Sequence, residues 1–107
     1  MVQLVIFDLD GTLADSKRDI ARALSHALRC IGHKVADESV FYQHIGATLE
    51  ETFAAVLPPH RHRRIAGAVA AYKAYYPDHC ADETRLFTGV PEGLMALQVR
   101  GYTLAVA

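Results

Sequence analysis

Tryptophan is absent from this sequence, and cysteine is scarce, with Cys30 and Cys80 as the only two. Two cysteines are too few for the disulfide framework that stabilises many small secreted domains. Charge of one sign is not in excess either, because 11 Lys and Arg residues stand against 12 Asp and Glu residues. A net charge of −1 provides no overall basic field for nucleic acid or an anionic membrane, so any such binding has to be local.

Long apolar runs are missing as well. No stretch approaches the roughly 20 residues needed to span a bilayer. The first apolar run, Val2–Phe7, is too short for a signal peptide and is followed at once by Asp8. These features predict a cytoplasmic protein with no membrane or nucleic-acid partner. A chain of 107 residues, 51% of them hydrophobic, suits at most one globular domain.

Two apolar segments predict β-strands. Val2–Phe7 is nearly continuous and β-branched, which is typical of a parallel strand covered on both faces, and Tyr102–Ala107 is the second such segment. Between them, Gly89-Val90-Pro91 opens a helix that Gly101 closes. This order predicts one crossover of a parallel α/β sheet with a helical module inserted in its first connection. Sites in such sheets lie at the carboxyl ends of strands, where Asp8 stands.

The inserted segment, residues 16–76, reads as helical. An apolar stripe at helical spacing follows Ser16 and extends to Ile31, and a short helical stretch is expected at 39–44. Thr48 and Glu51 form a capping box that opens a further helix. A longer helix is expected to end at Pro77, and residues 78–88 are expected to form a connection.

The chemistry of the sequence centres on Asp8 and Asp10. Two carboxylates at such close range require a cation or a proton to compensate them, and Mg²⁺ favours one or two carboxylates together with water and phosphate oxygens. The Gly11-Thr12 turn can direct backbone N–H groups at a phosphate. Asp8 is then suited to attack phosphorus, and Asp10 to exchange a proton with the leaving oxygen and with water. An ordinary strand-end turn is the alternative, but the apolar strand before the pair and Gly-Thr-Leu after it favour catalysis.

The segment Val5-Ile6-Phe7-Asp8-Leu9-Asp10-Gly11-Thr12-Leu13-Ala14-Asp15-Ser16 resembles the first motif of the haloacid dehalogenase-like hydrolases, in the branch that contains phosphoglycolate phosphatase. Residues 45–53 resemble the loop of the helical cap in that branch, and residues 86–90 resemble its return to the core. The resemblance implies an α/β fold in which an incomplete Rossmann-like parallel sheet carries an inserted helical cap. Residues 1–15 and 82–107 are then the partial core, and residues 16–81 are the cap.

The same resemblance implies a magnesium-dependent phosphatase that acts on a small phosphorylated metabolite. Asp8 would be the nucleophile and Asp10 the general acid and base, and Mg²⁺ would be held by the Asp8 carboxylate and the Asp10 backbone carbonyl. The phosphate group is expected to be bound by Leu9, Gly11 and Thr12. Candidate specificity residues are Arg18 and Arg22, which follow the motif closely, and Gly46 and Thr48 in the cap loop, with an exposed first helical turn as the alternative for the two arginines.

The sequence also departs from the family pattern. The family requires a Ser or Thr after the second core strand, a Lys, and an acidic pair, and all three would lie beyond Ala107. We therefore expect little or no activity from these 107 residues alone. An inorganic pyrophosphatase or a nucleotidase of the same superfamily is an alternative, and a non-catalytic remnant or interaction module is an alternative of another class. Leu49 stands where related sugar-phosphate mutases carry a basic residue, which favours a phosphatase. The sequence does not indicate an oligomeric state.

Three weaker signals remain. The run His60-Arg61-His62-Arg63-Arg64 is the only basic run; such runs are usually solvated helix faces, although this one leaves room for an anion-binding role. The six histidines and two cysteines lack the spacing of structural zinc sites. A cluster of three tyrosines in residues 72–76 has no pattern of base stacking and is expected to pack within the insertion.

Overall fold

The computed structural model describes residues 3–8 and 13–106, which form four helices and four strands joined by turns and two 3₁₀ segments. In chain order these are β1 (Leu4–Phe7), β2 (Ala14–Asp15), α1 (Lys17–Cys30), a 3₁₀ helix (Glu38–His44), α2 (Leu49–Val56), a second 3₁₀ helix (Pro59–Arg64), α3 (Ile65–His79), β3 (Arg85–Leu86), α4 (Val90–Val99) and β4 (Thr103–Val106). Within the described ranges, no helix combines the length and the apolar character needed to cross a membrane.

The chain divides into two compact units. We call residues 1–16 and 84–107 the sheet unit, and residues 17–83 the helical unit. These bounds differ by one and two residues from those expected for the core and the cap.

The sheet unit contains the predicted parallel crossover. Strand β1 pairs in parallel with β4, and the register places Phe7 opposite Val106 at the end of both strands. Helix α4 connects back into β4, and its Leu94 and Leu97 turn toward Phe7 and line an apolar cleft with it. The α/β class and the parallel pairing are therefore confirmed.

Burial of β1 on both faces is not observed. Leu4 is 51% exposed and Ile6 is 61% exposed. The physical reason is that α4 is the one helix of the sheet unit among the described residues, and a single helix covers only one face of a two-stranded sheet. Strand β1 therefore has more apolar side chains than the described residues bury.

The sheet unit also contains a short antiparallel ribbon. Strand β2 pairs with β3 through Ala14 opposite Leu86 and Asp15 opposite Arg85. The ribbon is extended by a hydrogen bond from the Phe87 backbone N–H to the Leu13 carbonyl oxygen, at 3.1 Å. The prediction of a plain connection over residues 78–88 is wrong at β3, because a two-residue strand has no periodicity that a sequence pattern can register.

The helical unit holds most of the buried apolar side chains. Helix α1 packs mainly against α3, and the predicted stripe on α1 faces this core, with Ile20 and Ile31 partly buried at its ends. The buried members of the core are Ala21, Leu24, Ala27, Leu28, Phe41, Phe53, Leu57, Ala68 and Val69. Only Leu13 and Ala14 are buried hydrophobic residues among the described part of the sheet unit. Apolar burial therefore stabilises the helical unit far more than the sheet unit.

Helix boundaries test the sequence signals directly. Thr48 is the N-cap of α2, and its hydroxyl oxygen accepts the Glu51 backbone N–H at 3.1 Å, which confirms the N-cap half of the predicted capping box. The expected stop at Pro77 is wrong, because α3 continues to His79. A proline this close to a helix end removes one backbone donor while only two residues of helix remain, so it does not terminate the last turn.

Candidate active site

Asp8 leaves the sheet unit at the carboxyl end of β1. Because β1 and β4 are parallel and end together at the Phe7–Val106 pair, Asp8 emerges at the edge where parallel α/β sheets place their ligands. Its side chain is exposed, which leaves the carboxylate accessible to a substrate. The predictions for Leu9, Asp10, Gly11 and Thr12 lie outside the described residues.

The sheet face next to Asp8 is apolar. Phe7 and Leu13 line two clefts with residues of α4, of 250 and 350 Å³, and the second extends to β4. These clefts provide no charged side chain, so among the described residues of this face the chemistry is concentrated in Asp8.

The two candidate arginines lie one helical turn apart on α1. Arg18 is exposed at the start of the helix. Arg22 forms an ion pair with Glu83, and the Glu83 carboxylate raises the pKa of the Arg22 guanidinium further above its ordinary value. Arg22 is therefore engaged at the end of the helical unit, whereas Arg18 presents an accessible cation. Their predicted part in substrate specificity stays a prediction.

The loop before α2 carries the other two candidates. Gly46 has a φ of 104° and lines a cleft of 140 Å³ together with side chains of α1, α2 and α3. Thr48 does not line this cleft, and its hydroxyl oxygen is occupied as the N-cap of α2. The structure thus places Gly46 at a cleft and gives Thr48 a structural contact.

Asp19 is a buried carboxylate that the sequence did not single out for this position. It is 2% exposed, and its two carboxylate oxygens accept the Glu83 backbone N–H at 3.0 and 2.9 Å. Together with the Arg22–Glu83 ion pair, this contact holds the first turn of α1 to the last residue of the helical unit. An acidic residue in a first helical turn is favourable for the helix dipole, which is the signal present in the sequence. The sequence contains no signal for its partner Glu83, which lies 64 positions away.

A cluster of aromatic and sulfur-containing side chains lies on the carboxyl-terminal halves of α1 and α3. Tyr75 stacks between His26 and His79, with ring centroids 4.1 and 4.0 Å apart, and the Cys30 Sγ lies 3.5 Å from the His26 Nε2. The sandwich keeps the two imidazoles on opposite faces of Tyr75. Over residues 3–8 and 13–106, no three His, Cys, Asp or Glu side chains are grouped to hold a metal ion.

The sequence profile of the family described as haloacid dehalogenase-like hydrolase matches residues 5–107. The chain belongs to the haloacid dehalogenase-like hydrolases. This agrees with the motif at Asp8 and with the parallel sheet that presents it.

Three similar proteins illustrate the relationship to this family. The chain is 40% identical to the probable phosphatase IndB of Dickeya dadantii, over all of the chain and 48% of that protein. It is 34% identical to a phosphoglycolate phosphatase of Neisseria meningitidis, over 98% of the chain and 47% of that protein. The solved structure of protein tyrosine kinase A of Mycobacterium tuberculosis is similar with a TM-score of 0.78 and 39% identity, covering 99% of the chain and 48% of that structure. The chain spans about half the length of these proteins.

Proposed function

We propose that this chain carries the nucleophile-bearing part of a magnesium-dependent phosphatase that hydrolyses a small phosphorylated metabolite, of the phosphoglycolate phosphatase type. One observation carries the proposal: Asp8 is exposed at the shared carboxyl edge of a parallel strand pair, within the motif that the family profile covers. The similarity to proteins named as phosphatases supports the same chemistry. Both cysteines are free thiols, which fits a cytoplasmic setting.

The proposed reaction proceeds in two displacements. A carboxylate oxygen of Asp8 attacks phosphorus, the bond from phosphorus to the ester oxygen breaks, and Asp10 donates a proton to the leaving alcohol. Water then attacks the aspartyl-phosphate while Asp10 accepts a proton, which releases inorganic phosphate and restores Asp8. Leu9, between the two aspartates, and Gly11 and Thr12, directly after them, would bind the phosphate oxygens through their backbone N–H groups.

The donor set fits magnesium. Mg²⁺ prefers one or two carboxylates and keeps several waters, so it needs no dedicated cage of protein ligands. Asp8 supplies an exposed carboxylate for it, and the Asp10 carbonyl would supply a second oxygen. When bound, the ion supplies positive charge against the phosphate oxygens.

We further propose that these 107 residues alone turn over phosphate esters weakly. Stabilising the charge of the transferring phosphoryl group requires fixed cations near Asp8. The sheet unit that presents Asp8 contains no lysine to supply such a cation, and its two basic residues are Arg85 in β3 and Arg100 after α4.

The decisive experiment compares the chain with Asp8→Asn and with the matched control Asp15→Asn. Beryllium trifluoride, which mimics a phosphoryl group on aspartate, is added with Mg²⁺ and followed by ¹⁹F NMR, so the readout does not depend on turnover. We expect an adduct in the wild type and in Asp15→Asn, and none in Asp8→Asn. An adduct that persists in Asp8→Asn, or its absence from the folded wild type, contradicts the proposal and favours the non-catalytic module.

Substrate class is decided by a second assay. Phosphate release from phosphoglycolate, nucleoside monophosphates and pyrophosphate is measured with and without EDTA, at enzyme concentrations high enough for single turnovers. We expect phosphoglycolate to be preferred and EDTA to abolish release. Preference for a nucleotide or for pyrophosphate would instead support the nucleotidase or the pyrophosphatase alternative.

A further inference from the structure

Charge is unevenly distributed in the helical unit, although the whole chain is nearly neutral. No Asp or Glu occurs between Asp19 and Asp37, or between Glu51 and Asp78. These two acid-free stretches contain nearly all of α1 and most of α3, the helices that pack against each other. Basic side chains within them therefore have no carboxylate adjacent in the sequence to neutralise their field, although Arg22 pairs with the distant Glu83.

The basic side chains of the second 3₁₀ helix surround a cleft. It measures 330 Å³ and is lined by Ile31, Gly32, His60, Arg61, Arg63 and Arg64. No lining residue is acidic, and among the described residues no carboxylate pairs with the three arginines within 4 Å. Small-ligand sites begin at about 300 Å³, so the cleft suits a small molecule rather than an extended surface.

One of these arginines is held in place. The Arg61 Nη1 donates a hydrogen bond to the Gly32 carbonyl oxygen at 3.2 Å, and its side chain is half-buried. Arg61 thereby holds the turn that follows α1, which is a structural role. A guanidinium has five N–H donors, so this contact leaves others free to bind a ligand from a fixed position. Arg63 and Arg64 are exposed and add two more cations to the same cleft.

We propose that this cleft is a second, non-catalytic binding site for a small multivalent phosphate, such as inorganic phosphate, pyrophosphate or the phosphate chain of a nucleotide. Arginine forks match the geometry of phosphate oxygens, and three of them without a neutralising carboxylate favour a ligand with more than one negative charge. This proposal is independent of the one for Asp8, because it uses only residues of the helical unit.

The test is calorimetric titration of the full chain with phosphate, pyrophosphate and a non-hydrolysable nucleotide, at constant ionic strength and in EDTA. The variant Arg63→Gln/Arg64→Gln removes two exposed cations and spares Arg61. The control, Lys73→Gln/Arg100→Gln, removes the same charge from exposed positions outside the cleft. We expect saturable binding whose Kd rises at least tenfold in the first variant and stays within twofold in the control.

Backbone amide shifts in ¹H–¹⁵N NMR spectra of the wild type measure phosphate binding without any substitution. We expect phosphate to shift the amides of residues 60–64 and of Gly32 in a saturable manner. The three ligands separate a site for free phosphate, which binds all of them, from one that requires a nucleotide. The proposal is overturned by the absence of saturable shifts, by equal weakening in both double variants, or by binding of an oligonucleotide without binding of any small phosphate.

Discussion

Replacing Asp19 by alanine tests whether the contact at the end of the helical unit stabilises it. The substitution removes a carboxylate that is 2% exposed and that accepts the Glu83 N–H at 2.9 and 3.0 Å. A hydrogen bond to a charged group contributes about 1.5–3 kcal/mol, and an acidic residue in a first helical turn adds about 0.3–1 kcal/mol. We expect the free energy of unfolding to fall by about 2–3 kcal/mol and Tm by roughly 10 °C or more.

The comparison with asparagine separates charge from geometry. Asp19→Asn keeps one oxygen acceptor but loses the charge, so we expect about half the destabilisation. The control is Asp82→Asn, which removes a neighbouring acid whose carboxylate forms an exposed pair with His79 at 2.8 Å, and we expect at most about 0.5 kcal/mol from it. Denaturation by urea followed by circular dichroism measures all three, and hydrogen exchange measures protection of the Glu83 amide. A loss below 0.5 kcal/mol in Asp19→Ala, with Glu83 still protected, would refute the reasoning.

Three further predictions concern the helical unit. Phe53→Ala, in the fully buried core, is expected to cost about 3–5 kcal/mol, whereas Met95→Ala on the exposed face of α4 is expected to be nearly neutral; urea melts compare them. Thr48→Ala removes the N-cap of α2 and should cost about 1 kcal/mol, whereas Thr48→Ser should restore most of it in the same assay. The Ser39 backbone N–H lowers the pKa of Asp37 below the ordinary value of 3.8. The stability from this contact is therefore present above pH 3.8 and is lost as the pH falls through the lower pKa of the folded state. An NMR titration in which the Asp37 carboxyl has its midpoint at or above pH 3.8 would contradict this.

The features that the sequence predicted are those written in local patterns. The stripe on α1, the N-cap at Thr48 and the strand before Asp8 each depend on residues within a few positions of one another, and the structure contains all three. The parallel pairing of β1 with β4 also followed, because a helix between two apolar strands leaves few other arrangements.

The features that the sequence did not predict depend on distant or weak signals. Asp19 and Glu83 meet across 64 positions, and β3 is too short for any periodicity. The prediction that the helix ends at Pro77 is wrong because a proline in a final turn removes one backbone donor and does not interrupt the helix. The Arg22–Glu83 ion pair joins residues 61 positions apart and has no local signal, and the substrate contact expected for Arg22 stays a prediction.

The β2–β3 ribbon has a consequence for how such a chain can vary. Ala14 and Asp15 lie directly beside Leu86 and Arg85, so the whole helical unit occupies the topological position of a hairpin loop. The entropy of closing a loop grows slowly, by about 0.6 kcal/mol for each doubling of its length. Any insertion whose two ends fit the spacing of neighbouring strands, about 5 Å, therefore satisfies the same junction. The helical unit is in this sense an exchangeable module, which can be lengthened, shortened or replaced by a tight turn without changing the register of the strands that carry it.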